Sequence, residues 1–227
     1  MIYVWDLPTR VSHWLLVVLV SAAVFTGLSG GNWMFWHGRL GVAILGLLTF
    51  RLLWGVLGST YARFRQFVPT LTTLRAYLRG NWHGVGHNPL GALSVLALLT
   101  VLLCQAVTGL FADDDIAFQG ALAAVVSGEM SQWFTGLHRQ WFWLVVGVVA
   151  LHLSAVLFYS LIRGETLIRA MLTGNKTVTD PTATAASGGG WLALVVALAG
   201  AAMVMWLADG GLVPVAAPVP ASAVPSW

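Results

Sequence analysis

Residues 137–162 read LHRQWFWLVVGVVALHLSAVLFYSLI. The run is long and apolar enough to cross about 30 Å of hydrocarbon as a helix. It carries two histidines, His138 and His152. Fourteen residues make almost a whole number of helical turns, so both side chains leave one face, about 21 Å apart along the axis. Imidazoles inside a membrane are costly and mark function. One helix offering two of them at different depths predicts two stacked cofactors.

Composition agrees with a membrane setting. Of 227 residues, 58% are apolar and only 8% charged, and the mean hydropathy is +0.83. A soluble globular chain carries about a quarter charged residues. The 12 tryptophans exceed the needs of a core and suit membrane interfaces and cofactor pockets. The net charge of +3 reads as topology bias, because the basic residues fall in particular loops; no nucleic-acid partner is expected. The single cysteine, Cys104, excludes an internal disulfide and an all-cysteine metal site. It reads as a packing residue.

Five runs reach spanning length, near 11–29, 38–58, 90–112, 138–162 and 191–208. The first reads as a retained helix, not a cleaved leader, because its flank MIYVWDLPTR holds one basic and one acidic residue. Pro8 and Pro89 stand where a helix can begin. The expected fold is all-α, an integral membrane four-helix bundle over 1–176 with an additional fifth transmembrane helix. A flexible linker is expected at 177–190, the fifth span at 191–208, and a Pro/Ala-rich outer tail at 209–227. There is no sustained internal repeat. Arg63, Arg65, Arg75 and Arg79 fall between spans two and three, and Arg163, Arg169 and Lys176 after span four. The opposite loops hold Asp113, Asp114, Asp115 and Glu129. Basic loops stay cytoplasmic, so the N-terminus is expected inside and, after five spans, the C-terminus outside.

That topology sorts the six histidines by depth. His13 lies near the inner start of span one, His37 at the outer start of span two, His138 outer and His152 deeper on span four. The pairs at similar depth are His13 with His152 and His37 with His138. Bis-imidazole ligation of haem iron needs such pairs, each from two helices with a ring-sized slot between them, and axial ligands are a main lever on haem potential. The plainer alternative for any one histidine is an interfacial hydrogen bond. Zinc would need its ligands in one tetrahedral shell, which two distant pairs cannot supply.

The fourteen-residue step recurs. Gly27 follows His13 by it and faces the outer level, where a missing side chain would admit a flat macrocycle. Arg51 follows His37 by it and faces the inner level. An intramembrane arginine needs an anionic partner, and a haem propionate can accept a bidentate pair; snorkelling to the interface is the alternative. Gly41, Gly46 and Gly109 are ambiguous between helix packing and haem clearance. His83 and His87 lie in the loop NWHGVGHNPLGA, without a matching residue on a partner span. His87 and Asn88 could bond an inner propionate or a bound quinone, with capping of span three as the alternative. Arg10, Arg75 and Arg79 read as propionate contacts or a lipid-facing basic rim, and the aspartates as a solvated loop or a dock for a basic periplasmic partner.

These stretches resemble the bacterial cytochrome b561 family, the group that includes the b-type cytochrome subunits of nickel–iron hydrogenases. The matching segments are VWDLPTRVSHWLLV around His13, HGRLGVAILGLLTFRLLWGVLGSTYARF from His37, GHNPLGAL at 86–93, LHRQWFWLVVGVVALHLSAVL on span four, and ETLIRAMLTGNK. The resemblance covers about residues 1–176. It implies a bacterial inner-membrane dihaem cytochrome b with His13, His37, His138 and His152 as iron ligands. The linker and fifth span from 177 onward depart from the simpler four-span form.

The expected function is membrane electron transfer through two haems b, between the quinone pool and a redox partner, either a periplasmic c-type cytochrome or a membrane oxidoreductase subunit. Rivals within redox chemistry are a hydrogenase-type anchor subunit and superoxide oxidation coupled to quinone reduction. Rivals outside it are a transporter or assembly factor with proton-relay histidines and a passive membrane anchor. A quinone site, a few polar groups in an apolar cleft, is expected at the 83–88 loop or the outer tryptophan-rich edge.

Overall fold

The computed structural model describes residues 1–116, 118–178 and 181–213. The chain opens with a short strand, β1 (Ile2–Tyr3), and then Asp6 caps α1 (Leu7–Ser29) by accepting from the Thr9 amide at 2.8 Å, with Pro8 in the first turn. Gly30 and Gly31, both at positive φ, turn the chain back into α2 (Trp33–Leu57). Two short helices follow, α3 (Phe64–Phe67) and α4 (Leu71–Leu78), the second closed by a reciprocal Thr70–Thr73 capping box. Asn88 and Pro89 start α5 (Pro89–Leu110). Ser127 caps α6 (Gly128–Leu157), which runs on into a π-helical turn at Phe158–Ile162. A helix α7 (Leu167–Thr173) and strand β2 (Asn175–Lys176) precede α8 (Trp191–Ala208). Five of these helices, α1, α2, α5, α6 and α8, are long and apolar enough to cross a membrane. The chain is a multi-pass helical membrane protein.

The spans alternate in direction. One end of the bundle carries Arg63, Arg65, Arg75, Arg79, Arg163 and Arg169 and is called the basic end below. The other carries Asp113–Asp115 and is the acidic end. α1 packs on α2, α2 on α5, and α5 on α6, with no comparable packing between α1 and α6 among the described residues. α2 is central, with 50% of its apolar window buried. α8 lies along its outer side, where Phe50 and Trp54 pack against Ala197 and Ala201. Within a membrane, lipid solvates leucine as well as protein does, so such contacts depend on close van der Waals fit, which small residues permit. Gly46 serves that fit, because a Cβ there would strike Met205 of α8.

The segment read as a flexible linker is stitched to the basic end over its described part. Tyr61 donates to the Thr184 carbonyl at 2.7 Å, the Ala186 amide to Tyr3 at 2.7 Å, and the Thr60 amide to Ser187 at 2.9 Å. The physical reason is that its small residues leave the backbone open to partners that composition does not reveal. β1 pairs antiparallel with β2, closing the start of the four-span block onto its end. The tail expected over 209–227 lies outside the described residues from 214 onward.

Candidate functional site

At the acidic end, the structure brings His37 of α2 and His138 of α6 together. Their ring centroids are 6.0 Å apart and their planes meet at 87°. His37 Nδ1 donates to the Ala23 carbonyl at 2.9 Å, and His138 Nδ1 to the Gln105 carbonyl at 3.0 Å. A carbonyl partner on Nδ1 fixes the neutral tautomer and leaves Nε2 with its lone pair, the form that ligates metal. At His138 that lone pair accepts from the Gln105 carboxamide at 3.2 Å. The same carboxamide also donates to the His138 carbonyl, and its Oε1 is buried without a partner.

The spacing suits bis-imidazole ligation. Two metal–imidazole bonds of about 2 Å, plus about 1 Å from each nitrogen to its ring centre, give about 6 Å between centroids. Gly41, one turn further along α2 from His37, faces open space where a side chain would stand. Among the described residues, no three His, Cys, Asp or Glu side chains gather into a metal cluster.

Toward the basic end, His13 of α1 lies within electrostatic reach of His152 of α6 and of Arg51 of α2. Ser94 Oγ of α5 is 3.2 Å from His152 Nδ1. Arg51 is only 7% exposed. Its guanidinium donates to the Ala62 carbonyl at 3.2 Å and lies over Phe64 and Phe67. The nearby Asp6 carboxylate accepts from Trp54 Nε1 at 2.9 Å. His87, read from the sequence as able to bond an inner propionate or a quinone, belongs to this neighbourhood. It sits between Trp5 and Phe67, and its Nδ1 is enclosed without a partner. Burial, then the charges of Arg51 and Lys176, push its pKa down to about 3. Arg10 donates to the Leu172 carbonyl, while its Nε is buried without a partner. Unpartnered donors beside a buried arginine fit an anionic group such as a propionate carboxylate.

Other sequence candidates resolve differently. Asn88 caps α5, accepting from the Gly91 amide at 2.7 Å. Gly27 lies at the level of the acidic end, but the clearance it gives is taken by His37: a Cβ there would stand 2.9 Å from His37 Cε1. Gly109 does the same for His138, at 2.9 Å. Asp113 accepts from Gln119 within its own loop, and Asp115 from Gln132 in the first turns of α6. Sequence reasoning passed over Thr26, Ser94, Gln105 and Thr108, all polar groups within apolar spans and all against a histidine. Their signal was available: a polar residue in hydrocarbon needs a partner.

A cleft of about 1160 Å³ opens at the basic end between α4, the start of α5 and the π-helical turn. Tyr77, Trp82, His83, Tyr159, Arg163 and Lys176 line it. The two tyrosine hydroxyls share a 2.5 Å hydrogen bond, and Lys176 donates to the Val85 carbonyl at 3.2 Å.

Comparison with known proteins adds the following. The family model described as prokaryotic cytochrome b561 matches residues 4–174. A probable Ni/Fe-hydrogenase 1 B-type cytochrome subunit of Escherichia coli (strain K12) is 22% identical over 77% of this chain and 90% of its own length. Probable Ni/Fe-hydrogenase B-type cytochrome subunits of Rhodobacter capsulatus and Rhizobium leguminosarum bv. viciae are each 21% identical over 79% of this chain, covering 82% and 90% of those proteins. No solved structure matches the chain significantly.

Proposed function

This chain belongs to the prokaryotic cytochrome b561 family and is a membrane b-type cytochrome of electron transfer; from that premise we propose that it holds two haems b, one toward each end of the bundle, and links the quinone pool to a redox partner. The observation that carries the reading is the His37–His138 pair, with ring centroids 6.0 Å apart. His37 and His138 hold the haem at the acidic end. His13 and His152 hold the one toward the basic end, where Arg51, Arg10 and His87 donate to its propionates. When bound, the haem supplies reversible one-electron chemistry at iron. The chain's own part would be to hold each haem by two imidazoles, which disfavours other ligands at iron, and to exclude water with apolar spans.

The cleft lined by Tyr77, Tyr159 and Lys176 supports a quinone head-group site, since it offers a few hydrogen-bonding groups among aromatic walls. The relatives are named as hydrogenase subunits, which supports a membrane oxidoreductase subunit as the partner. The arginine-bearing loops support a cytoplasmic basic end and N-terminus, with α8 ending on the outer, periplasmic side of a bacterial inner membrane.

Haem quantitation and a reduced-minus-oxidised spectrum of the purified chain test this directly. The native protein is expected to be red, with two haems per chain and a sharp reduced α-band. His138→Ala and His152→Ala each leave one. A colourless native protein, or two haems retained in both variants, overturns the assignment. Loss of quinol-dependent reduction in Tyr159→Phe, with both haems kept, locates the quinone site.

A further inference from the structure

The two imidazoles at the acidic end are held by the same device, used twice. In α1 the segment AVFTGL spans 23–28, and in α5 the segment QAVTGL spans 105–110. Ala23, Thr26 and Gly27 correspond to Gln105, Thr108 and Gly109 at one constant offset. Each histidine lies on the long helix that packs directly against its segment, His37 on α2 against α1 and His138 on α6 against α5.

The contacts match atom for atom. The Ala23 carbonyl accepts from His37 Nδ1 at 2.9 Å and from Thr26 Oγ1 at 3.1 Å. The Gln105 carbonyl accepts from His138 Nδ1 at 3.0 Å and from Thr108 Oγ1 at 3.0 Å. Each threonine oxygen also lies beside the ring nitrogen, at 3.4 Å for Thr26 and 3.3 Å for Thr108. The glycine explains how a helix carbonyl, already bonded within its own helix, can be reached from the side. The residue four positions on covers that oxygen on the helix surface, and here it has no side chain. A Cβ at Gly27 or Gly109 would come within 2.9 Å of Cε1 of the same imidazole, closer than real Cβ contacts allow.

We propose that Thr26–Gly27 and Thr108–Gly109 are twin positioning steps that clamp His37 and His138 by Nδ1, so that both present Nε2 to one metal with their ring planes nearly perpendicular. The proposal rests on the reading of these two histidines as haem ligands and adds what sets their orientation. Axial ring orientation controls the electronic anisotropy of low-spin ferric haem: perpendicular planes give a strongly anisotropic paramagnetic signal, and parallel planes a rhombic one. The geometry therefore assigns the strongly anisotropic signal to the haem at the acidic end. Among the described residues nothing comparable holds the other pair, where the Ser94 hydroxyl stands beside His152.

Electron paramagnetic resonance of the full-length oxidised protein, alongside haem quantitation, tests the clamp. His37→Ala is expected to remove one haem and the anisotropic signal with it. Gly27→Ala and Gly109→Ala displace the ring, so that signal is lost or moves to the rhombic type while the second haem is untouched. Thr26→Val and Thr108→Val keep side-chain shape and remove only the hydroxyl; the haem stays, and its signal broadens and shifts toward rhombic. Thr26→Ser and Thr108→Ser restore it. Gly136→Ala, which adds a Cβ in open space on α6, leaves the spectrum alone. If His37→Ala keeps both haems, the ligand reading itself is wrong. If it loses one, yet the four glycine and valine variants give the native spectrum, the clamp is wrong and the ligand reading stands.

Discussion

His87 shows how one half-buried side chain, its Nδ1 enclosed, couples this protein to pH. Its imidazole is enclosed by Trp5 and Phe67, and burial, aided by Arg51, lowers its pKa from 6.5 to about 3. The unfolded chain therefore binds a proton that the folded chain refuses. Stability from this group is full above the ordinary value and falls as pH drops toward about 3, by up to about 1.4 kcal/mol per pH unit. Thermal unfolding of the haem-free protein in detergent between about pH 6.5 and pH 4.5 is expected to show that slope, and His87→Gln to flatten it; equal slopes would refute the assignment. Asp6 carries two duties, capping α1 and accepting from Trp54 Nε1. Asp6→Ala loses a cap, at about 1 kcal/mol, and strands a buried indole donor, at about 1–3 kcal/mol more. Asp6→Asn keeps an acceptor and is expected to lose clearly less in the same melts. The sequence did announce the histidines, because an imidazole in an apolar run has few excuses. It did not announce Thr26, Thr108 or Gln105, because their importance lies in which carbonyl or ring nitrogen they touch, and that is fixed only when two helices are side by side.

Helix placement follows the same division. The spans expected near 11–29 and 90–112 match α1 and α5 closely, since Pro8 and Pro89 mark their starts. α6 begins at Gly128, ten residues before the run read from hydropathy. Its first turns hold Glu129, Ser131, Gln132 and Thr135, which look like loop on an apolar scale. Those residues are helical because Ser127 caps them and because Ser131 and Thr135 bond back to Phe111 and Asp113. α8 was legible as a span but not as a partner of α2. Its fit depends on Ala197 and Ala201 against Phe50 and Trp54, with an ion pair between Arg39 and Asp209 at its far end. Those two side chains are 55% and 46% exposed, so Asp209→Asn is expected to cost under about 1 kcal/mol. Ala201→Leu overfills a closed contact and is expected to cost about 1–3 kcal/mol. Haem content should stay native in both, because no histidine lies on α8.

The distribution of charge over the assembled bundle makes a separate prediction. With Cys104 replaced by Ala as a background, a cysteine placed at Asp114 is expected to react with an impermeant maleimide from the periplasmic side, and one at Arg75 only after the membrane is opened. Reversed labelling would invert the orientation. The four-span block was readable as a whole from its apolar runs and loop charges. The clasp at its basic end was not, because two-residue strands leave no periodic trace. That clasp joins Ile2 and Tyr3 to Asn175 and Lys176, and the Ala186 amide then binds Tyr3. During synthesis β1 must therefore wait for Asn175 and Lys176 before it finds its partner. The first four spans are made before that latch can shut, so the basic end of the bundle stays open until translation has passed residue 176.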